Sequence, residues 1–401
     1  MIKLIATAYF ILVITDTYRV IPSYTPLNNM LIAATLFSLS IFFICLRYNK
    51  RTEPVEKKGL RIFLITFFFI PLTINVLSVY LFGSSISGAL YWTIKSLLFL
   101  SFSYFVFLYK DIIITKKSAY LIFTIITISF IHNQIDPVFY SKIGQNYGVT
   151  LSYAKYGNIG SRYFGMYLHP NSAALTIIMI TFSLRFMNVL NSLILTTAMF
   201  LIVLTGSRTA LVIILLFLAF DFYYSMLTNK RIVFSNVQEI HRAFSKIAVL
   251  FGLIFAIGFI LLISGDELID RIKNIENIDN DNSAIVRDIA QQQYKTLLSA
   301  NPIIGYGSEF IRQLIEKGRL IRPSHNMYLE RTVQYGILGI TSFLFFFLFL
   351  VRNLWHRPSL RFVIPIVLVY GIFINSFDQN MGFFLLMGVA ISVLGSSKYE
   401  R

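Results

Sequence analysis

The sequence predicts an all-α fold: a polytopic membrane protein of about twelve transmembrane helices with a large helical loop on its outer side. Three observations predict it. Hydrophobic residues make up 56% of the 401, aromatic residues 16% and charged residues only 13%, too apolar for a water-soluble domain of this size, so lipid must be the solvent. The apolar residues gather in runs of roughly 17 to 25, the length that crosses about 30 Å of hydrocarbon. The basic surplus behind a net charge of +16 lies in short blocks between those runs. That pattern belongs to membrane topology rather than to one basic face for nucleic acid.

The runs fall near 3–21, 28–46, 61–83, 88–109, 117–133, 170–187, 189–206, 209–227, 247–265, 326–351, 361–378 and 381–397. Arg47, Lys50, Arg51, Lys57, Lys58 and Arg61 mark the second connection as cytoplasmic. Counting forward, Lys110, Lys116 and Lys117, then Arg185, then Lys230, Arg231, Arg242 and Lys246, then Arg352, Arg357 and Arg361, and finally Lys398 and Arg401 fall on the same side. Both termini are therefore expected inside. The first run is read as a retained span, because no small-residue cleavage site follows it and Asp16 and Arg19 lie near its outer end.

Residues 1–401 thus read as a single membrane domain with two longer outer segments, a smaller one at 134–169 and a larger one at 266–325. The larger reads as helix, turn, helix. Asn282 or Ser283 can cap a first helix with an apolar side of Val286, Ile289, Ala290, Leu297 and Leu298, stopped at Asn301-Pro302. Gly305-Tyr306-Gly307 makes the turn. Ser308 can cap a second helix, with Glu309 in its first turn and Lys317-Gly318 at its end. This loop is expected to fold back over the bundle as a lid.

A single Cys45 excludes a disulfide framework, and five scattered histidines leave little material for a metal centre. No metal and no cofactor is expected. Four arginines stand on the outer side: Arg162, Arg208, Arg287 and Arg322. Arg208, at the tip of the hairpin between the seventh and eighth runs, could simply snorkel to the interface. Together the four suit a phosphate-bearing substrate, because a planar five-donor fork binds phosphate oxygens bidentately at any relevant pH. Pairing with the loop's carboxylates is the other reading. His325 stands at the expected water boundary beside Arg322, where positive charge favours the neutral imidazole that can accept a proton, although a hydrogen-bonding surface histidine is the other reading.

Three segments resemble the O-antigen ligase and O-antigen polymerase superfamily, membrane glycosyltransferases of the GT-C type. They are Gly206-Ser207-Arg208-Thr209-Ala210-Leu211, then Arg287 with Asn301-Pro302-Ile303-Ile304-Gly305-Tyr306-Gly307, then His325-Asn326 with Tyr328-Leu329 and Gly336. Arg162-Tyr163-Phe164-Gly165 with His169-Pro170-Asn171 is similar to a further family pattern. The resemblance covers roughly residues 160 to 340 in order. It departs at Val212, where relatives often have Leu, a change in packing. It implies an enzyme of the bacterial inner membrane whose active site faces the periplasm and whose two outer segments are periplasmic loops. Its partners would be an undecaprenyl-diphosphate-linked oligosaccharide and a glycan acceptor, either a lipid-linked repeat or lipid A-core, with membrane lipids around it. By position, Arg208 and Arg287 would hold the diphosphate and His325 would assist the acceptor hydroxyl, without metal. Arg162, Arg322 and Asp378 would contact substrate, although Asp378 could equally pair an outer arginine.

The residues agree on physical grounds. A lipid diphosphate carries its own transfer energy, and no Walker loop is present to bind a nucleotide. The stretch from Asp136-Pro137 to Ala174 looks more like the polymerases than the ligases of the family. A flippase or other transporter is a third reading. It would need polar groups lining a path, and the charges noted inside the runs are chiefly Lys95 and Asp221.

Overall fold

The computed structural model describes residues 2–20, 29–47, 52–136, 138–140, 143, 164–167, 169–228, 282–321, 323–357, 360–374 and 380–394. Among these the chain is helical and forms no strand. The helices are α1 (Ile2–Ile14), α2 (Asn29–Leu46), α3 (Pro54–Leu64), α4 (Ile70–Phe82), α5 (Ile86–Ile113), α6 (Lys116–Ile135) and α7 (Pro170–Phe186). They continue with α8 (Ser192–Leu204), α9 (Arg208–Thr228), α10 (Asn282–Ala300), α11 (Ser308–Glu316), α12 (Met327–Leu354), α13 (Val363–Gly371) and α14 (Met381–Ser392). A π-helical turn, Ile65–Phe69, makes α3 and α4 one rod.

Pro54–Phe82, Ile86–Ile113 and Met327–Leu354 are long and apolar enough to cross a membrane. Ile2–Ile14, Ile32–Leu46, Ser192–Leu204, Thr209–Asp221 and Met381–Ser392 are shorter apolar helices. The run expected at 247–265 lies outside the described residues. The first run stops short of its expected end at 21. Asp16 takes a left-handed φ of 55° and pairs with Arg19 at 2.9 Å, so the chain leaves α1 after Ile14 and turns through a 3-10 segment, Thr17–Val20.

Two compact units make up the chain: Met1–Ile32 with Tyr109–Lys273, and Ala33–Leu108 with Asn274–Arg401. In the first, α7 is buried along nearly its whole length, as expected of a helix apolar on all sides. It packs against α8 and α9, and Arg185 near its end pairs with Asp221 of α9. One of the two charges read inside the runs is thereby neutralised. In the second unit Phe67 anchors an aromatic core, its ring centroid 5.5 to 6.0 Å from those of Phe343, Phe346, Phe383 and Phe384. The other charge, Lys95 of α5, lies over the Trp92 ring with its Nζ 4.7 Å from the centroid.

Candidate functional site

The site grows from a break in α12. Gly336, at φ 63° and ψ −165°, interrupts that helix. The break removes the helical partners of the Val333 and Gln334 carbonyls and of the Ile337 N–H. The segment before α11 replaces them. Tyr306 N–H donates to the Val333 carbonyl at 2.9 Å and Gly307 N–H to the Gln334 carbonyl at 2.8 Å. In return Ile337 N–H donates to the carbonyls of Pro302 and Ile303, at 3.1 and 3.2 Å. Only glycine permits this approach: a Cβ on Gly336 would stand 1.9 Å from the Ile303 oxygen, and one on Gly305 2.5 Å from the Gly336 nitrogen. The two glycine-bearing segments singled out in the sequence are therefore partners in one main-chain splice.

The splice fixes α11. Its N-cap is Gly307, and the cap expected from Ser308 does not form. Asn75, 2% exposed on α4, accepts the Ser308 N–H through its side-chain carbonyl at 2.9 Å. The Ser308 hydroxyl is thereby free to bond the Tyr335 hydroxyl, at 2.6 Å. Glu309 is fully buried over Gly88 of α5, whose missing side chain makes the room. Arg312 forks onto its carboxylate at 2.9 and 2.8 Å, a hydrogen-bonded pairing that raises the guanidinium pKa. Residues 301–316 are thus part of the packed unit.

The α10 helix packs along α12. Its buried stripe is Ala290 and Tyr294, with Leu297 and Leu298 reaching the cluster of Tyr306, Ile311, Leu314, Leu320 and Val333. Ile289, expected on that stripe, is 39% exposed, because one residue's step of about 100° carries it off the Ala290–Tyr294 line. Pro302, just past α10, bonds Ile337, and Tyr294 lies close enough to Glu330 for that carboxylate to raise its phenol pKa, after the larger effect of burial. Both pairings advance together along the chain, so α10 and the start of α12 run the same way. Arg287, seven residues before Tyr294, and His325, five before Glu330, consequently stand toward the same end of this helix pair.

His325 heads α12. Asn326 caps the helix by accepting the Leu329 N–H at 3.1 Å, Ser324 behind it is fully buried, and His325 itself is partly exposed. Its φ of 55° is a left-handed conformation that a side-chain-bearing residue rarely adopts. Such strain persists where the surroundings impose it, and it clusters at functional positions. Arg287 is likewise partly exposed, with its Nε buried.

In the first unit, Arg208 begins α9 just after Gly206, whose φ of 60° closes α8. Thr205 is fully buried, and its hydroxyl accepts the Ser207 N–H at 3.3 Å. The side chain of Arg208 lies outside the described residues, as do Arg162, Arg322 and Asp378. The pattern after Arg162 has a local structural role. Asn133 of α6 accepts the N–H groups of Phe164 and Gly165 at 3.2 and 3.4 Å, and His169 caps α7 by accepting the Asn171 N–H at 3.1 Å.

Arg331 was not singled out in the sequence, yet it is 1% exposed inside an apolar helix. Its origin lies in α4. The Ile70 N–H is committed to the Ile65 carbonyl in the π-helical turn, and residue 71 is proline, so the Thr66 carbonyl has no helical donor. Arg331 supplies one through its NH2 group at 2.6 Å, and its Nε reaches the Gly339 carbonyl at 3.2 Å. Its guanidinium carbon lies 4.8, 5.2 and 5.0 Å from the ring centroids of Phe67, Tyr335 and Phe343. One cation therefore braces two broken helices against each other. Two signals pointed to it: ionisable Glu330-Arg331 inside the run 326–351 and Pro71 inside the run 61–83.

Residues 192–344 match the family described as O-antigen ligase. That stretch is similar to the O-antigen ligase family, in line with the resemblance carried by its motifs. The O-antigen ligase match begins with α8, runs through Arg208, Arg287 and His325, and ends in α12 beyond the Gly336 break. No curated protein matches the chain.

Proposed function

We propose that this protein is a surface-polysaccharide polymerase that joins undecaprenyl-diphosphate-linked glycan repeats at the periplasmic face of a bacterial inner membrane. The observation that carries the reading is His325, in a left-handed backbone at the head of α12, with the helix of Arg287 packed alongside. In the proposed step an acceptor sugar hydroxyl attacks the anomeric carbon of the donor glycan. The carbon–oxygen bond to the diphosphate breaks, undecaprenyl diphosphate leaves, and the hydroxyl proton passes to the His325 imidazole. Arg287 and Arg208 meet the charge on the departing diphosphate, and Arg162, Arg322 and Asp378 are assigned to substrate contacts. The protein contributes orientation and charge stabilisation without a metal.

The matched family carries the description of a ligase, which favours a second reading: transfer of the glycan to lipid A-core. Deleting the gene and separating lipopolysaccharide on a gel decides between them. The polymerase reading expects the ladder to vanish with a single repeat still on the core. A bare core with lipid-linked polymer accumulating would establish the ligase, and an unchanged ladder would remove both.

The proposed orientation makes its own prediction. Reporter fusions after Lys58, Lys117 and Arg357 should be active only in the cytoplasmic format, and fusions at Gly144 and Asp279 only in the periplasmic one. An active alkaline phosphatase after Lys117 would invert the assignment and move the site to the wrong side for a lipid-linked donor.

A further inference from the structure

Tyr294 is fully buried in α10, and among the described residues its hydroxyl has no hydrogen-bond partner. A buried hydroxyl left unbonded is destabilising, and phenylalanine would fill the same space without that cost. Tyr294 packs in one buried cluster with Val333 of α12. Glu330, 4% exposed about one turn before Val333, is near enough for its carboxylate to raise the Tyr294 phenol pKa, and it accepts from the Gln334 side-chain amide at 3.4 Å. A carboxylate and a phenol are therefore enclosed together where α10 packs along α12. Arg287 lies two helical turns before Tyr294 along α10, and His325 about a turn and a half before Glu330 at the head of α12. Arg287 and Tyr294, seven residues apart, share one face of α10.

We propose that Tyr294 and Glu330 are positioning residues of the transfer site, a buried phenol–carboxylate pair that sets how far the helix of Arg287 stands along the helix headed by His325. This rests on the assignment of Arg287 to the diphosphate and His325 to the acceptor. A sideways or axial slip of α10 by one ångström separates those two groups without unfolding either helix. Displacements of that size lower reaction rates strongly while leaving binding of either substrate much less affected. The free phenol O–H supplies the donor and Glu330 the acceptor that lock the register when both substrates are bound.

The test uses full-length protein in detergent or nanodiscs with lipid-linked donor, and compares Tyr294→Phe, Glu330→Gln and Glu330→Asp with wild type. Tyr294→Phe preserves the packing volume, so a merely structural role predicts equal or greater thermal stability and unchanged turnover. The positioning role predicts kcat lowered about ten- to a hundredfold with donor KM changed less than about threefold. Glu330→Gln should show the same split, the double variant should be no worse than the poorer single one, and Glu330→Asp should recover part of the loss. Tyr294→Phe and Glu330→Gln with wild-type kcat, in protein whose wild type is active, would overturn the pair's role alone. A folded wild type with no transfer activity would overturn the functional assignment and the pair with it.

Discussion

Replacing His325 with alanine should lower glycan transfer by about a hundred- to ten-thousandfold, with affinity for the lipid-linked donor retained. A base acts on the acceptor hydroxyl in the transition state, so its loss falls on kcat rather than on donor binding. Arg208→Lys and Arg287→Lys should instead weaken donor binding and turnover together. Lysine keeps the charge but loses the bidentate fork, so the donor diphosphate is held less well and turnover falls with it. The measurement is donor binding and single-turnover transfer for all three variants at matched expression, in excess chelator, which the proposed chemistry tolerates. His325→Ala at wild-type turnover, or activity abolished by chelator and restored by a divalent ion, would leave the mechanism without support.

The second large effect is expected at Arg331, which is 1% exposed. Two opposing contributions decide its sign. Arg331→Met removes a desolvated charge, which favours the variant. It also leaves the Thr66 carbonyl without a donor, because Pro71 offers no N–H, and removes a guanidinium from between three aromatic faces. In a site shut off from water the orphaned carbonyl and the lost ring contacts outweigh the relief, for a net loss of about 3 kcal/mol. The check is a double-mutant cycle on thermal unfolding in detergent. In a Pro71→Ala background residue 71 regains its N–H, the Thr66 carbonyl regains a helical donor, and Arg331→Met should cost markedly less. An equal loss in both backgrounds would show that Arg331 does not act through that carbonyl.

Most of the helices could be read directly, since apolar runs bounded by basic blocks reflect the one requirement lipid imposes on a backbone: every N–H and C=O must bond within its own segment. The places where reading failed are the places where that requirement is relaxed. Gly336 was legible as a motif residue eleven positions past His325, but not as a helix break, because nothing local reveals that a distant segment will donate to Val333 and Gln334. Ser308 looked like a cap because capping is a local rule, and a buried Asn75 from α4 overrode it. The expected apolar side of α10 held both Ile289 and Ala290, and only Ala290 faces the contact, since periodicity gives a stripe's angle to within about one residue. Arg331 was passed over inside an apolar run whose average hydropathy hid it. Of the proposed site, residue types and order could be read from sequence. The packing of the Arg287 helix along α12 could not, because it depends on the splice.

That splice also bears on how the protein is made. A segment entering the bilayer with open carbonyls at Val333 and Gln334 and an open N–H at Ile337 faces several kcal/mol for each group that lipid cannot satisfy. On the proposed topology the donors needed by α12 precede it in the chain, so residues 301–307 have already been translocated when α12 leaves the ribosome. The helix can then complete its bonding as it inserts, from the periplasmic end inward. Synthesis order and insertion order thus coincide. Moving the 301–307 segment downstream of α12 by circular permutation would leave the helix to enter the bilayer with its break unbonded.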